Sequence, residues 1–379
     1  MTGCQADSSS ILENDETVSL FPRIADNFPI PLFSSDEVLK LEILSDFPYR
    51  TINELEEQGK YAGVLRIGGE ENSRDFEVKL EARGSGRLSH CDFAPFKLHL
   101  KEDMDHTVFA DSHDSLKVVT HCDEGSLSAE LDGEETIMTE MLLYKILEKF
   151  GVYSFKTRPT QITYKTMDGE PITTKLAFII ENKRYLANRY STLREFVPDD
   201  YSDILSGEIE RMQQNGATEA ELYDFLEEKL EIQNFLATFL AQIMILNDDW
   251  SGTINGANMK TFFDKNGKVV RAHYDLDLSL LTGKFRRGDS LSFESLEYPL
   301  PATAETDVEI IQALCNSDEF PFSSEEKLVG CREILPQVSV RQHEVFKEID
   351  NFSLISPERK NLVKERIQTF FTAIRQVQL

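Results

Sequence analysis

From about residue 31 to 130, short runs of alternating apolar and polar residues are separated by turn-forming ones: EVLKLEIL, YAGVLRIGG, DFEVKLEARG, FKLHL, HTVFA and SLKVVTH. In FEVKLEA the side chains of Phe76, Val78 and Leu80 share one face, the period-two pattern of a strand buried on one side. The spacing predicts an antiparallel sheet. At TIMTEMLLYKILEKFGV (136–152) the period changes: Leu143, Leu147 and Phe150 form a helical stripe, with Thr136 placed to cap its start and Gly151 to end it. TQITYKT and TKLAFIIEN then join across MDGEP as a hairpin, after which the strand signal fades. Phe235, Phe239, Ile243 and Leu246 predict one long buried helix over about 219–246, leading straight into NDDW. Asn266-Gly267 marks a second hairpin turn, and helices are predicted near 305–315, 323–333, 338–350 and 356–377.

These elements divide the 379 residues into a polar tether (1–30), a sheet lobe carrying one helix (31–183) and a mainly helical lobe (184–379). Single cores stop growing near ~250–300 residues, which favours two lobes. The expected fold class is therefore α+β, an antiparallel-sheet N-lobe before a mainly helical C-lobe, in the order of the two-lobed protein-kinase plan.

Charge narrows the partners. Lys plus Arg number 40 against 67 Asp plus Glu, a net charge of −27. That field repels phosphate backbones and anionic membranes, and no basic run offsets it, so nucleic acid is not an expected partner. FLATFLAQIMIL (235–246) is shorter than the ~20 residues of a membrane span, so no transmembrane segment is predicted. The opening MTGCQADSSS resembles the end of a bacterial lipoprotein signal. It suggests a membrane tether through a lipidated Cys4 on an exported, periplasmic or cell-surface protein; a cytoplasmic chain with a cysteine in a polar tail is the other reading. The remaining four cysteines fall into two near pairs, Cys91 with Cys122 and Cys315 with Cys331, either as disulfides or as buried thiols.

The candidate chemistry lies in HYDLDLS. If that stretch is extended, Asp275 and Asp277 point to one side with alpha carbons ~6–7 Å apart. Such carboxylates repel each other unless a cation intervenes, and Mg²⁺ or Mn²⁺ takes oxygen ligands of this kind. Asn258 could add a neutral oxygen, and Asp249 or Asp248 on the preceding loop could accept the proton of an attacking hydroxyl. Phosphoryl transfer needs that set, because its catalysis is mostly positioning and charge neutralisation. Asp-x-Asp also occurs in sugar-nucleotide transferases, calcium loops and solvated strands. No Gly-x-Gly-x-x-Gly loop is present; GSGRL (84–88) offers glycines and Arg87 to phosphates, or is a plain hairpin turn. Zinc spacings and a Gly-x-Ser-x-Gly elbow are missing.

The stretches ILNDDWSGTINGANMKTFF, HYDLDLSLL, LEARGSGRLSHCDFAPFKLHL, SLKVVTHCD and EMLLYKILEKFGV together resemble the CotH kinase family, spore-coat-protein-H-like atypical kinases and related bacterial secreted proteins, over most of residues 60–281. The resemblance implies an ATP-dependent, kinase-like phosphotransferase acting on a protein or small-molecule hydroxyl. By position Asp249 matches the catalytic-loop aspartate, Asn258 the metal-binding asparagine, Asp275 the metal aspartate and Asp277 the family's second aspartate. Lys117 and Lys97 are the candidates for the nucleotide lysine; Lys117 is preferred, with Glu140 on the following helix as its ion-pair partner. The nine-residue step from Asp249 to Asn258 and the lack of a preceding histidine depart from ordinary kinases. A catalytically inactive scaffold at the cell surface and a sugar-nucleotide transferase are the alternatives.

Overall fold

The computed structural model describes residues 22, 30–50, 59–68, 73–84, 91, 93–100, 104, 106–110, 112, 115–121, 132–196, 201–247, 258–277, 279–282, 290–293, 296–299, 303–316 and 322–379. Strands β1 (Leu39–Ser45), β2 (Lys60–Ile67), β3 (Arg74–Ala82), β4 (Phe96–Leu100) and β5 (Ser115–Thr120) follow one another antiparallel, and helix α1 (Gly133–Phe150) comes next. After the short β6 (Tyr153–Ser154), β7 (Thr157–Lys165) and β8 (Pro171–Ile180) form the expected hairpin. β8 pairs with β5, and β7 runs parallel to β1 from Leu39↔Thr160 to Leu44↔Lys165. That last pairing closes seven strands into a barrel.

The expected fold class is thus corrected: the fold remains α+β, but its first sheet is a closed barrel. Alternation along a strand is the same whether a sheet is open or closed, so closure left no mark on the pattern. Ile43, Leu65, Val78, Leu80, Leu98, Leu116, Ile162 and Tyr164 belong to the barrel's buried core. The rest of the chain is also more than helical. β9 (Leu193–Phe196), β10 (Met259–Asp264) and β11 (Val269–His273) join β6 in a second sheet of order β6-β11-β10-β9.

Three local expectations change. HTVFA is a turn, because the Thr107 hydroxyl donates to Met104 O (2.7 Å) and accepts from Phe109 N (3.0 Å), a local arrangement that competes with a strand. α1 starts earlier than Thr136, capped by Asp132, whose carboxylate accepts from Glu134 N; its end at Gly151, φ 104°, is as expected. The long helix over 219–246 is two, α4 (Glu219–Lys229) and α5 (Ile232–Ile245), after the unpredicted α2 (Lys183–Arg189) and α3 (Tyr201–Gln214). The break lies at Leu230, which is extended, and the Glu231 carboxylate caps α5 by accepting from Gln233 N and Asn234 N.

Four C-terminal helices are present as expected, α6 (Ala304–Asn316), α7 (Ser324–Ser339), α8 (Gln342–Asn351) and α9 (Pro357–Gln376), but α7 runs on past 333 to Ser339 and α8 starts only at Gln342. A disulfide joins Cys315 on α6 to Cys331 on α7. Cys91 is disulfide-bonded as well; Cys122, its expected partner, lies outside the described residues. Among the described residues no helix is long and apolar enough to cross a membrane. α1 packs against β7 and β8 of the barrel and against α8, so it links the barrel to the C-terminal helices.

Candidate functional site

Helix α5 fixes the strand that carries the site. Asn234 holds β11 by both amide atoms, accepting from Arg271 N (2.6 Å) and donating to Arg271 O (3.1 Å). One turn from the helix end, Gln242 Nε2 lies 3.0 Å from His273 Nδ1. Burial alone pushes the His273 imidazole down to about 3, which favours the neutral ring.

β11 ends at His273, and Tyr274, Asp275, Leu276 and Asp277 after it are not in a strand. Asp275 has φ 57° and its N–H donates to the Tyr144 hydroxyl (2.9 Å) on α1; Ser279 N then donates to Leu276 O and Thr282 Oγ1 to Asp277 O. These bonds turn the segment, so strand alternation does not align Asp275 with Asp277. Asn258, directly before β10, also has φ 57°, and its carbonyl accepts from Tyr274 N (3.0 Å). Leu246, just past α5, has φ 50°, and Asn247 beside it bridges to Ser279. Three of the four described non-glycine residues with positive φ therefore frame this segment. Such conformations cost ~1–3 kcal/mol each and gather at functional sites.

Cations from separate elements converge on Tyr274, which is 8% exposed. Arg83, after β3, donates from Nη2 to the phenol oxygen at 2.7 Å, and Lys117 of β5 donates to it at 2.9 Å. The Lys117 ammonium also lies 4.5 Å from the ring centroid, and that of Lys260, in β10, lies 4.7 Å from it. Burial pushes the Lys117 amine down to about 8, with Arg83, Lys183 and Lys97 adding repulsion and Asp275 pulling the other way.

The two candidate lysines face each other across the β4–β5 ladder but differ in company. Lys97 donates to Glu81 at 2.6 Å. Burial raises Glu81, yet hydrogen bonds from Lys97 and His99 outweigh it and hold the carboxyl at about 2. Lys117 goes to Tyr274 instead of forming the expected ion pair with Glu140. Glu140 is buried on α1, and its charge and that of Asp275 add to burial in raising the Tyr144 phenol. Asp248, Asp249 and Arg87 lie outside the described residues.

Among the described residues no three His, Cys, Asp or Glu side chains cluster as metal ligands. The hairpin places an amide, Asn258, at the start of β10 beside the end of β11, after which the carboxylates of Asp275 and Asp277 follow, all three residues half-buried. This all-oxygen set suits Mg²⁺ or Mn²⁺, which take few protein ligands beside water and phosphate oxygens, better than zinc. Pattern reading missed Arg83, Tyr144, Lys183, Lys260 and the Tyr274 hydroxyl. They come from five separate elements or turns, and within HYDLDLS the tyrosine counts only as an apolar position.

No protein-family model matches the chain, and no characterised protein matches it in sequence. Among solved structures it is similar to a chain in the complex of the Shewanella oneidensis MR-1 toxin–antitoxin system HipA, HipB and its operator DNA, with TM-score 0.36 and 11% identity. The match covers 70% of this chain and 59% of that one, so less than two thirds of that relative's length is spanned.

Proposed function

We propose that the chain is a metal-dependent phosphotransferase of the CotH kind, moving a phosphoryl group from ATP to a hydroxyl on a protein or small molecule. One observation carries this reading: a chain of net charge −27 gathers Arg83, Lys117 and Lys260 around one phenol beside Asp275. Positive charge held together against its own repulsion suits a polyanion, and a nucleoside triphosphate is such a ligand.

In this reading Lys117 and Arg83 orient phosphate oxygens, and Lys260 adds positive charge nearby. Asn258 and Asp275, with Asp277, hold Mg²⁺ or Mn²⁺, which when bound neutralises charge on the phosphates. Asp249, or its neighbour Asp248, accepts the proton of the attacking hydroxyl. The Cys315–Cys331 disulfide supports placing the chain in an oxidising compartment.

The test is a calorimetric titration of ATP with Mg²⁺ or Mn²⁺ into wild type and Asp275→Asn, chosen because asparagine tolerates the left-handed backbone there. Saturable binding by wild type that weakens about tenfold or more in the variant is expected, in line with the loss of a charged ligand. If folded wild type does not bind ATP, the reading fails; binding of UDP-glucose without ATP replaces it with a sugar-nucleotide transferase.

A further inference from the structure

We propose that Arg83 and Lys117 form a site for a phosphoryl oxygen that the Tyr274 hydroxyl fills in the free protein, so that Tyr274 and a polyphosphate compete for the same two donors. The anion's identity rests on the phosphotransferase reading; the competition rests on geometry alone.

The donors are incompletely used. Among the described residues the Lys117 ammonium hydrogen-bonds to the Tyr274 oxygen and to nothing else, and Arg83 gives its guanidinium only to the same atom. An ammonium has three N–H donors and a guanidinium five, so most remain open to a ligand. One oxygen accepting from two cationic donors has the surroundings of a phosphate oxygen, yet a phenol brings no formal charge to answer them. Hydrogen bonds from such cations to an ionised phosphate are roughly twice as strong as neutral ones. A phosphate therefore displaces the phenol when it arrives.

The contact also crosses the molecule. Arg83 and Lys117 belong to the barrel, whereas Tyr274 follows β11 of the second sheet, 191 and 157 residues away in sequence. Tyr274 is held by its backbone N–H on Asn258 O and precedes Asp275, so the residue that fills the anion site adjoins the candidate metal ligands. A competing view makes Tyr274 a brace that aims Lys117 at the ligand. The two views predict opposite signs for loss of the hydroxyl.

Tyr274→Phe removes that oxygen and keeps the ring against Phe155 and under the two lysines. Titration with inorganic tripolyphosphate, without nucleoside or metal, should show about tenfold tighter binding in Tyr274→Phe than in wild type, and about tenfold weaker binding in Arg83→Met. Weaker binding in Tyr274→Phe overturns the proposal, as does the absence of tripolyphosphate binding by every folded form. The two readings fail separately. Tightened tripolyphosphate binding without ATP binding keeps the competition and removes the phosphotransferase; Asp275-dependent ATP binding with weakened tripolyphosphate binding in Tyr274→Phe does the reverse.

Discussion

Arg366 and Lys117 are both drawn away from water, but the groups that meet them differ. Arg366 on α9 gives Nη1 and Nη2 to the two oxygens of buried Asp307 at 2.7 and 3.0 Å, and its other N–H groups to Met244 O and Ile243 O. Those carbonyls end α5, where the helix dipole favours positive charge. Burial still pulls Arg366 down and pushes Asp307 up, the expected penalty of an interior pair. Arg189 is similarly enclosed, between Glu181 at 2.8 Å, Glu148 at 3.0 Å and the Ser154 carbonyl. Lys117 has a phenol, with Arg83, Lys97 and Lys183 repelling it. Arg366 and Arg189 are closed off by carboxylates and carbonyls, whereas Lys117 and Arg83 keep open donors, as the proposed binding role requires. That contrast separates structural ions from candidate binding ions on the geometry of this chain alone.

The largest effect should come from breaking a closed set. Arg366→Met takes the guanidinium away from the buried Asp307 carboxylate and frees the α5 carbonyls, so urea denaturation should show a loss of about 3–5 kcal/mol. Adding Asp307→Leu should return most of it, because replacing both partners by apolar groups is often near neutral. A single-variant loss below about 1 kcal/mol would place Arg366 with exposed pairs and erase the contrast. Next comes the open set. Lys117→Met removes a desolvated, repelled cation, so stability should hold or rise by about 0.5–1 kcal/mol while ATP binding is lost, the trade-off expected at a binding site. Destabilisation beyond about 1 kcal/mol would make Lys117 a fold residue and sharpen the case against the site.

How legible the molecule was follows the same division. Elements set by local periodicity could be read: the β7–β8 hairpin, the Gly151 helix end and the presence of four C-terminal helices, though not the boundary between α7 and α8. Features set by distant partners could not. Barrel closure depends on β1 meeting β7, and the α4–α5 break depends on Glu231 capping α5, a residue outside the preferred capping types. At the site, Lys117, Glu140, Asn258, Asp275 and Asp277 were visible as residue types in suggestive places. The turn at Asp275 was hidden, because the Tyr144 hydroxyl that receives its N–H comes from α1. Arg83 was hidden too, since nothing in GSGRL or its flanks reveals a phenol waiting in the second sheet.

The smallest effect is also the most specific to the open set. The Lys117 amine sits at about 8 in the fold against 10.5 in an unperturbed chain. Between those values the unfolded chain holds a proton that the folded one has released, so this group makes stability rise with pH across that window. Below about 8 both states are protonated and the full penalty is present. Because the side chain is only half-buried, solvent screening should keep the change below about 1 kcal/mol. Other lysines titrate near the upper end, so the quantity to measure is the difference in urea midpoint between wild type and Lys117→Met at two pH settings, about one unit below and about one unit above the Lys117 value of about 8. The gap in favour of the variant should narrow as pH rises, and tripolyphosphate binding to wild type should weaken over the same range as the ammonium is lost. A gap that widens would mean that the fold stabilises the Lys117 charge. Lys117 would then belong with Arg366 among the enclosed ions, and its bond to Tyr274 would be part of the scaffold.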